Sequence, residues 1–157
     1  MKYIFFDIDS NGLLSEDGSP RPFMDVVLRY CHYSKIRVYL ATSNQERVHQ
    51  FQAAFPGAWG VQVMGEFTKG GTIPHHPDLV ISADGEYLRK WPGLQIPAYN
   101  PDSSIEFAEL SLAGRMLDTI RDRVVLNKQA PEKKSVRPAD PAPTEPVDPS
   151  EFGFSVP

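Results

Sequence analysis

Met1-Lys2-Tyr3-Ile4-Phe5-Phe6-Asp7-Ile8-Asp9 opens the chain, and its reading decides how everything after it is read. Tyr3 to Ile8 is an apolar run of strand length that ends in acids. Continuous runs of this kind suit a parallel strand covered on both faces. Alternation along an extended chain puts the Asp7 and Asp9 side chains on one side and Ile8 on the other.

Outward from that strand, apolar strands and amphipathic helices alternate. Pro22 sits where a first helical turn tolerates proline, and Phe23, Val27, Tyr30 and Cys31 follow at helical spacing. Ile36 to Ala41 reads as a second buried strand. Ser43 and Glu46 then form a capping-box pattern, Val48, Phe51 and Phe55 carry the helix face behind it, and Pro56-Gly57 stops the helix. Val61 to Met64 is a weaker strand, and Gly65 to Pro77 reads as a hairpin or loop. Leu79 to Ser82 is a short strand ending near acids, and Glu86 to Trp91 suits a short helix. Ser103 and Glu106 give a second capping box, after which Ile105, Leu112, Met116, Ile120 and Val124 mark one face of a long helix. The alternation predicts a three-layer, Rossmann-like α/β fold with a mainly parallel sheet. Ligands of such sheets bind beyond the carboxyl ends of the strands. Asp7 and Asp9, Thr42 and Ser43, and Asp84 end three of the four expected strands, so they are expected to share one crevice.

A chain of 157 residues suits one such domain. Seven of the 15 prolines fall between Pro131 and Pro157, in a stretch of mixed charge without periodicity. The expected division is therefore a folded domain over 1–127 and a disordered, proline-rich C-terminal tail over 128–157. The apolar end of that tail, Phe152 to Val156, is either simply the end of a loose tail, the preferred reading, or a segment that docks on a partner or on the domain itself. The net charge of -4 argues against a broad basic surface for nucleic acid. Cys31 is the single cysteine, which rules out an internal disulfide and a cysteine-based zinc cluster. The acid at position 7 comes too early for a signal peptide, and no apolar run approaches the about 18 residues of a membrane span. The expectation is a cytoplasmic protein with no membrane partner, a monomer or a homodimer.

Two close carboxylates repel unless a cation or a shared proton compensates. Magnesium is the natural cation, since it takes hard oxygen ligands and keeps waters. A carboxylate nucleophile attacking phosphorus needs such a cation to mask charge, and a second acid two residues on can shuttle the proton. Thr42-Ser43-Asn44 places hydroxyls and free backbone N–H groups at a helix start, where a phosphate binds well; as a simpler alternative, Ser43 only caps its helix. Asp84-Gly85 is either a third metal acid or a turn. Lys69 reaches the site to hold charge, or else is an ordinary loop lysine. Adjacent His75 and His76 point opposite ways and suit a solvated loop. Trp59, Trp91 and Tyr99 suit packing more than ring stacking.

Taken together, FFDIDSNGLL, YLATSNQERV and LVISADGEYL, in this order, resemble the first, second and fourth motifs of the haloacid dehalogenase superfamily, over roughly residues 1–100. The resemblance implies a magnesium-dependent phosphomonoester hydrolase. Asp7 would be the nucleophile that forms an aspartyl-phosphate, and Asp9 the general acid/base. Asp7, Asp9 and Asp84 would form the metal site, Thr42 or Ser43 with Asn44 would bind the phosphate, and Lys69 would be the third-motif lysine. Asn11 stands where Thr or Val is usual, Ala83 where a first acid is often found, and GGTIPHHP cannot form the helix that this lysine normally opens. Neither insertion point is long enough for a cap domain, which implies an open site for a phosphorylated small molecule, a nucleotide or a nucleic-acid end. The alternative is a binding protein of the same fold, weak or inactive as a catalyst, that docks a partner through its tail.

Overall fold

In the computed structural model, which describes residues 1–58, 61–91 and 93–126, the opening apolar run forms the central strand of a five-stranded sheet. That strand, β1 (Lys2–Asp7), is followed by α1 (Met24–Tyr33), β2 (Ile36–Thr42), α2 (Gln45–Ala54), β3 (Val63–Thr68), β4 (Leu79–Ser82), β5 (Gly93–Gln95) and α3 (Glu106–Ile120). The order across the sheet is β3-β2-β1-β4-β5, and every pairing is parallel. This is the doubly wound order, with β1 at the point where the winding reverses. The protein is thus α/β, with a parallel sheet flanked by helices.

Why β1 reads as continuously apolar is visible in its two faces. Ile4, Phe6 and Ile8 belong to one apolar cluster with Val38 and Leu40 of β2 and Ile81 of β4. All three α-helices pack into this same cluster, through Leu28 and Cys31 of α1, Val48 and Phe51 of α2, and Leu112, Met116 and Ile120 of α3. Fully burying an aromatic or aliphatic side chain of this size contributes about 1.5–3 kcal/mol. Phe5, on the opposite face, packs against Phe67 of β3 with ring centroids 4.6 Å apart and against Tyr39 of β2 at 6.2 Å. Tyr3 stacks on His75 at 4.1 Å. This second face is covered by the segment between β3 and β4 and by a single 3-10 turn, Tyr87–Arg89. The described α-helices therefore form one layer, and the expected second helical layer is replaced by loop. Gly70, Gly71, Pro74 and Pro77 explain it, since that crossover cannot wind into a helix. His75 is exposed in that loop, as the sequence reading expected, and lays its ring against Tyr3.

Several elements differ in detail from the sequence reading. β3 starts at Val63 and runs to Thr68, so it takes in Gly65 to Thr68, which read as loop. Two of its residues facing solvent are Met64 and Glu66, the half-exposed pattern of an edge strand. β5 has only three residues, too few for any periodicity. Ile105 precedes α3 and is 67% exposed, off the buried face it was assigned to. The helical winding continues past α3 as a π-turn segment, Arg121–Val125, which buries Val124. Among the described residues no helix is long and apolar enough to cross a membrane. Trp59 and the stretch 128–157 lie outside the described residues.

Where β5 meets β4, the backbone approach is close. A Cβ on Gly93 would lie 2.9 Å from the Val80 carbonyl oxygen and would overlap the Leu88 side chain. Gly93→Ala is expected to lower stability by about 1–3 kcal/mol through this overpacking, read as a shift in the midpoint of urea unfolding.

Candidate active site

The carboxyl ends of β1 to β4 converge on two carboxylates. Asp7 is the last residue of β1 and is 1% exposed. In the sheet register Phe6 pairs with Ile81 and Asp7 with Ala41. The next β4 residue after Ile81 is Ser82, and its hydroxyl donates to Asp7 Oδ2 at 2.6 Å. The backbone N–H groups of Asp9 and Ser10 donate to Asp7 Oδ1 at 3.0 and 3.4 Å. As alternation requires, Ile8 turns the other way into the helix-side core and is fully buried.

Asp9 stands at the end of β2. The Thr42 hydroxyl donates to its Oδ1, and the Ser43 N–H donates to its Oδ2 at 2.7 Å. The ambiguity between Thr42 and Ser43 resolves into two jobs. Thr42 is buried, and its hydroxyl also accepts from the Asn44 N–H at 2.9 Å. Ser43 is exposed, and among the described residues its hydroxyl makes no hydrogen bond. Asn44, not Ser43, is the N-cap of α2, accepting from the Glu46 N–H at 3.0 Å. Side-chain oxygens of either type satisfy the open donors of a helix start, and Ser43 is pulled aside by Asp9.

Lys69 joins the pair. Its ammonium lies 2.5 Å from Asp7 Oδ1 and 3.4 Å from Asp9 Oδ2, directly after β3, where its own N–H donates to the Thr42 carbonyl. Lys69 shares the parity of Phe67 on β3, which carries both to the face opposite the helices. One ammonium between two carboxylates supplies the compensation that their proximity demands. The same ammonium sits 4.5 Å above the Tyr87 ring. Burial first, then the Asp7 and Asp9 charges, pushes the Tyr87 phenol up to about 12 from its ordinary 10.0.

Asp84 meets the site through its backbone, its N–H donating at 2.9 Å to the same Ser82 hydroxyl that holds Asp7. It is exposed on the turn after β4, where its carboxylate accepts from the Glu86 N–H at 2.9 Å. Among the described residues no three acids, histidines or cysteines converge as a metal cluster. Asn11 accepts from Arg47 Nη2 at 3.1 Å, and Ala83 donates its N–H to the Ser10 hydroxyl at 3.0 Å.

Two buried arginines hold the loop after β1. Arg47 of α2 donates to the Ile8 carbonyl at 2.7 Å, the Ser15 carbonyl at 2.9 Å and Gln50 Oε1 at 2.7 Å. Burial pulls its guanidinium below the ordinary value, and the Asp9 and Asp7 charges act against that shift. Arg21 pairs with Glu109 of α3 at 2.7 Å and donates to the Gly12 and Pro97 carbonyls at 3.0 and 2.6 Å. Ser104 donates to the second Glu109 oxygen at 3.1 Å. The sequence reading missed Ser82 and Ser10. Only the strand register, which places Ser82 beside Asp7, gives Ser82 away.

Arg47→Met keeps the aliphatic packing and orphans the Ile8 and Ser15 carbonyls. It is expected to cost about 3 kcal/mol, measured by urea unfolding. The Tyr87 phenol gives a pH signature. Its folded value lies above its unfolded one, so its contribution to stability is complete below about pH 10 and is lost as pH rises toward about 12. Tyr87→Phe should remove that part of the alkaline loss, seen by comparing denaturant midpoints of the two chains from pH 9 to 12.

No family model, curated protein or solved structure matches this chain, so the site is read from its own residues.

Proposed function

We propose that the protein is a phosphomonoester hydrolase of the haloacid dehalogenase type, with Asp7 as nucleophile and Asp9 as general acid/base. The observation that supports it best is the convergence of the Asp7 and Asp9 carboxylates on the Lys69 ammonium at the carboxyl edge of the sheet. Lys69 and the two loop N–H groups hold Asp7 Oδ1, and Ser82 holds Oδ2, so the carboxylate is fixed in orientation at the strand end. An Asp7 oxygen attacks phosphorus, and the bond from phosphorus to the ester oxygen breaks. Asp9 gives its proton to that leaving oxygen. A water then attacks the aspartyl-phosphate and loses a proton to Asp9, and inorganic phosphate leaves with Asp7 restored. Lys69 balances charge throughout, and the Ser43 hydroxyl stands free on the rim to donate to a phosphoryl oxygen.

The donor set suits magnesium. Magnesium is commonly held by one or two carboxylates, with waters and phosphate oxygens completing the shell, and Asp7 and Asp9 would hold it beside Lys69. When bound there, the ion would neutralise charge on the phosphoryl oxygens. Asp84, on the turn after β4 beside Ser82, is the third acid proposed for that site.

A second reading has one observation in its favour. Each oxygen of Asp7 and Asp9 accepts at least one protein donor, and Ser82, a neutral residue, faces Asp7. That arrangement also suits a protein that binds phosphate esters without turning them over.

Phosphate release from p-nitrophenyl phosphate separates the readings. Wild type with magnesium should release phosphate, and chelation should stop it. Asp7→Asn should reduce release to background, and Asp9→Asn should lower kcat by about 10²–10⁴-fold. Equal release from wild type and Asp7→Asn would remove Asp7 as nucleophile, and none from either would leave the binding reading.

A further inference from the structure

A cleft of about 580 Å³ opens beside the carboxylate pair, on the sheet face away from the α-helices. Lys69 belongs to both, closing one end of the cleft while its ammonium holds Asp7 and Asp9. The walls are aromatic: Phe67 from β3, Tyr87 from the 3-10 turn and Trp91 just after it. Each is fixed by a neighbour. Phe67 packs on Phe5, Tyr87 lies under the Lys69 ammonium, and Trp91 meets the His76 ring edge-on with centroids 6.1 Å apart. The volume exceeds what a phosphate group alone fills and falls within the range of small-molecule sites.

The charged groups on the rim narrow the class of ligand. Lys69 and Lys90 are matched by Asp84 and Glu86. The cleft therefore has no surplus positive charge for a second or third phosphate. Its carboxylates can accept hydrogen bonds from sugar hydroxyls or from the exocyclic amine of a base.

We infer that this cleft receives the base and sugar of a nucleoside monophosphate, with its single phosphate at Lys69 and Asp7 and its planar ring against Trp91 and Tyr87. The inference rests on the hydrolase reading for the place of the phosphate, but the cleft's preference for a ring stands apart from turnover.

Two measurements keep the two claims distinct. Binding of adenosine 5′-monophosphate and of ribose 5-phosphate is read by calorimetry on the Asp7→Asn chain, which lacks the nucleophile. Base stacking on an aromatic side chain predicts that the nucleotide binds roughly tenfold or more tightly. Adding Trp91→Ala should abolish that preference without weakening ribose 5-phosphate, and Trp91→Phe should keep most of it. Adenosine triphosphate should bind no tighter than the monophosphate. Phosphate release by the wild-type chain is measured separately on the same monophosphates. Ring preference that depends on Trp91, with no release, supports the cleft and overturns the hydrolase reading. Release without ring preference, or a preference unchanged in Trp91→Ala, overturns the cleft and leaves the hydrolase reading standing.

Discussion

Two carboxylates held together at the buried end of a strand cannot stand alone, and most of the site is an answer to that constraint. Asp7 is almost fully buried and Asp9 is two residues on. Burial strips Asp7 of water, and two like charges this close repel. The answer is drawn from each neighbouring strand end: Ser82 from β4, Thr42 and Ser43 from β2, and Lys69 from the end of β3. A sheet with β1 at an edge could not offer donors from both sides. The strand order and the chemistry are therefore one arrangement.

The same constraint explains why charge lies buried on the helix side. The loop after β1 must present Asp9 and the Ser10 N–H at fixed positions. Its carbonyls face inward, where water cannot reach them, and Arg47 and Arg21 supply the donors instead. Buried backbone acceptors left unmet would cost more than the arginines' desolvation when each guanidinium is fully bonded.

How much of this could be read in the sequence follows from what each residue's neighbours are. β1, β2 and β4 were legible because strands buried on both faces are apolar without interruption. β3 was displaced because an edge strand with Gly65, Glu66 and Thr68 resembles a loop, and β5 because three residues carry no period. The first two layers followed from the alternation, but the second helical layer did not form because its crossover is glycine- and proline-rich. Asp7, Asp9 and Thr42 were visible as strand ends, and they do meet. Lys69 was visible only as a residue type, since its reach depends on where β3 stops. Ser82 was hidden inside an apparently ordinary strand. Asn44 took the cap from Ser43 for a reason that exists only in three dimensions, the pull of Asp9 on the Ser43 N–H.

The ion pair between Arg21 and Glu109 has a consequence for how the chain is made. It links the loop after β1 to α3 across 88 residues. During vectorial synthesis, the strand that carries Asp7 precedes β2 and can pair with it as soon as that strand follows. The loop beside it must wait for α3 before Arg21 finds its carboxylate. Sheet and helices can gather in the order they are translated, but the loop acquires its ion pair only once α3 has emerged. A nascent chain thus carries its acids without part of their frame until α3 follows.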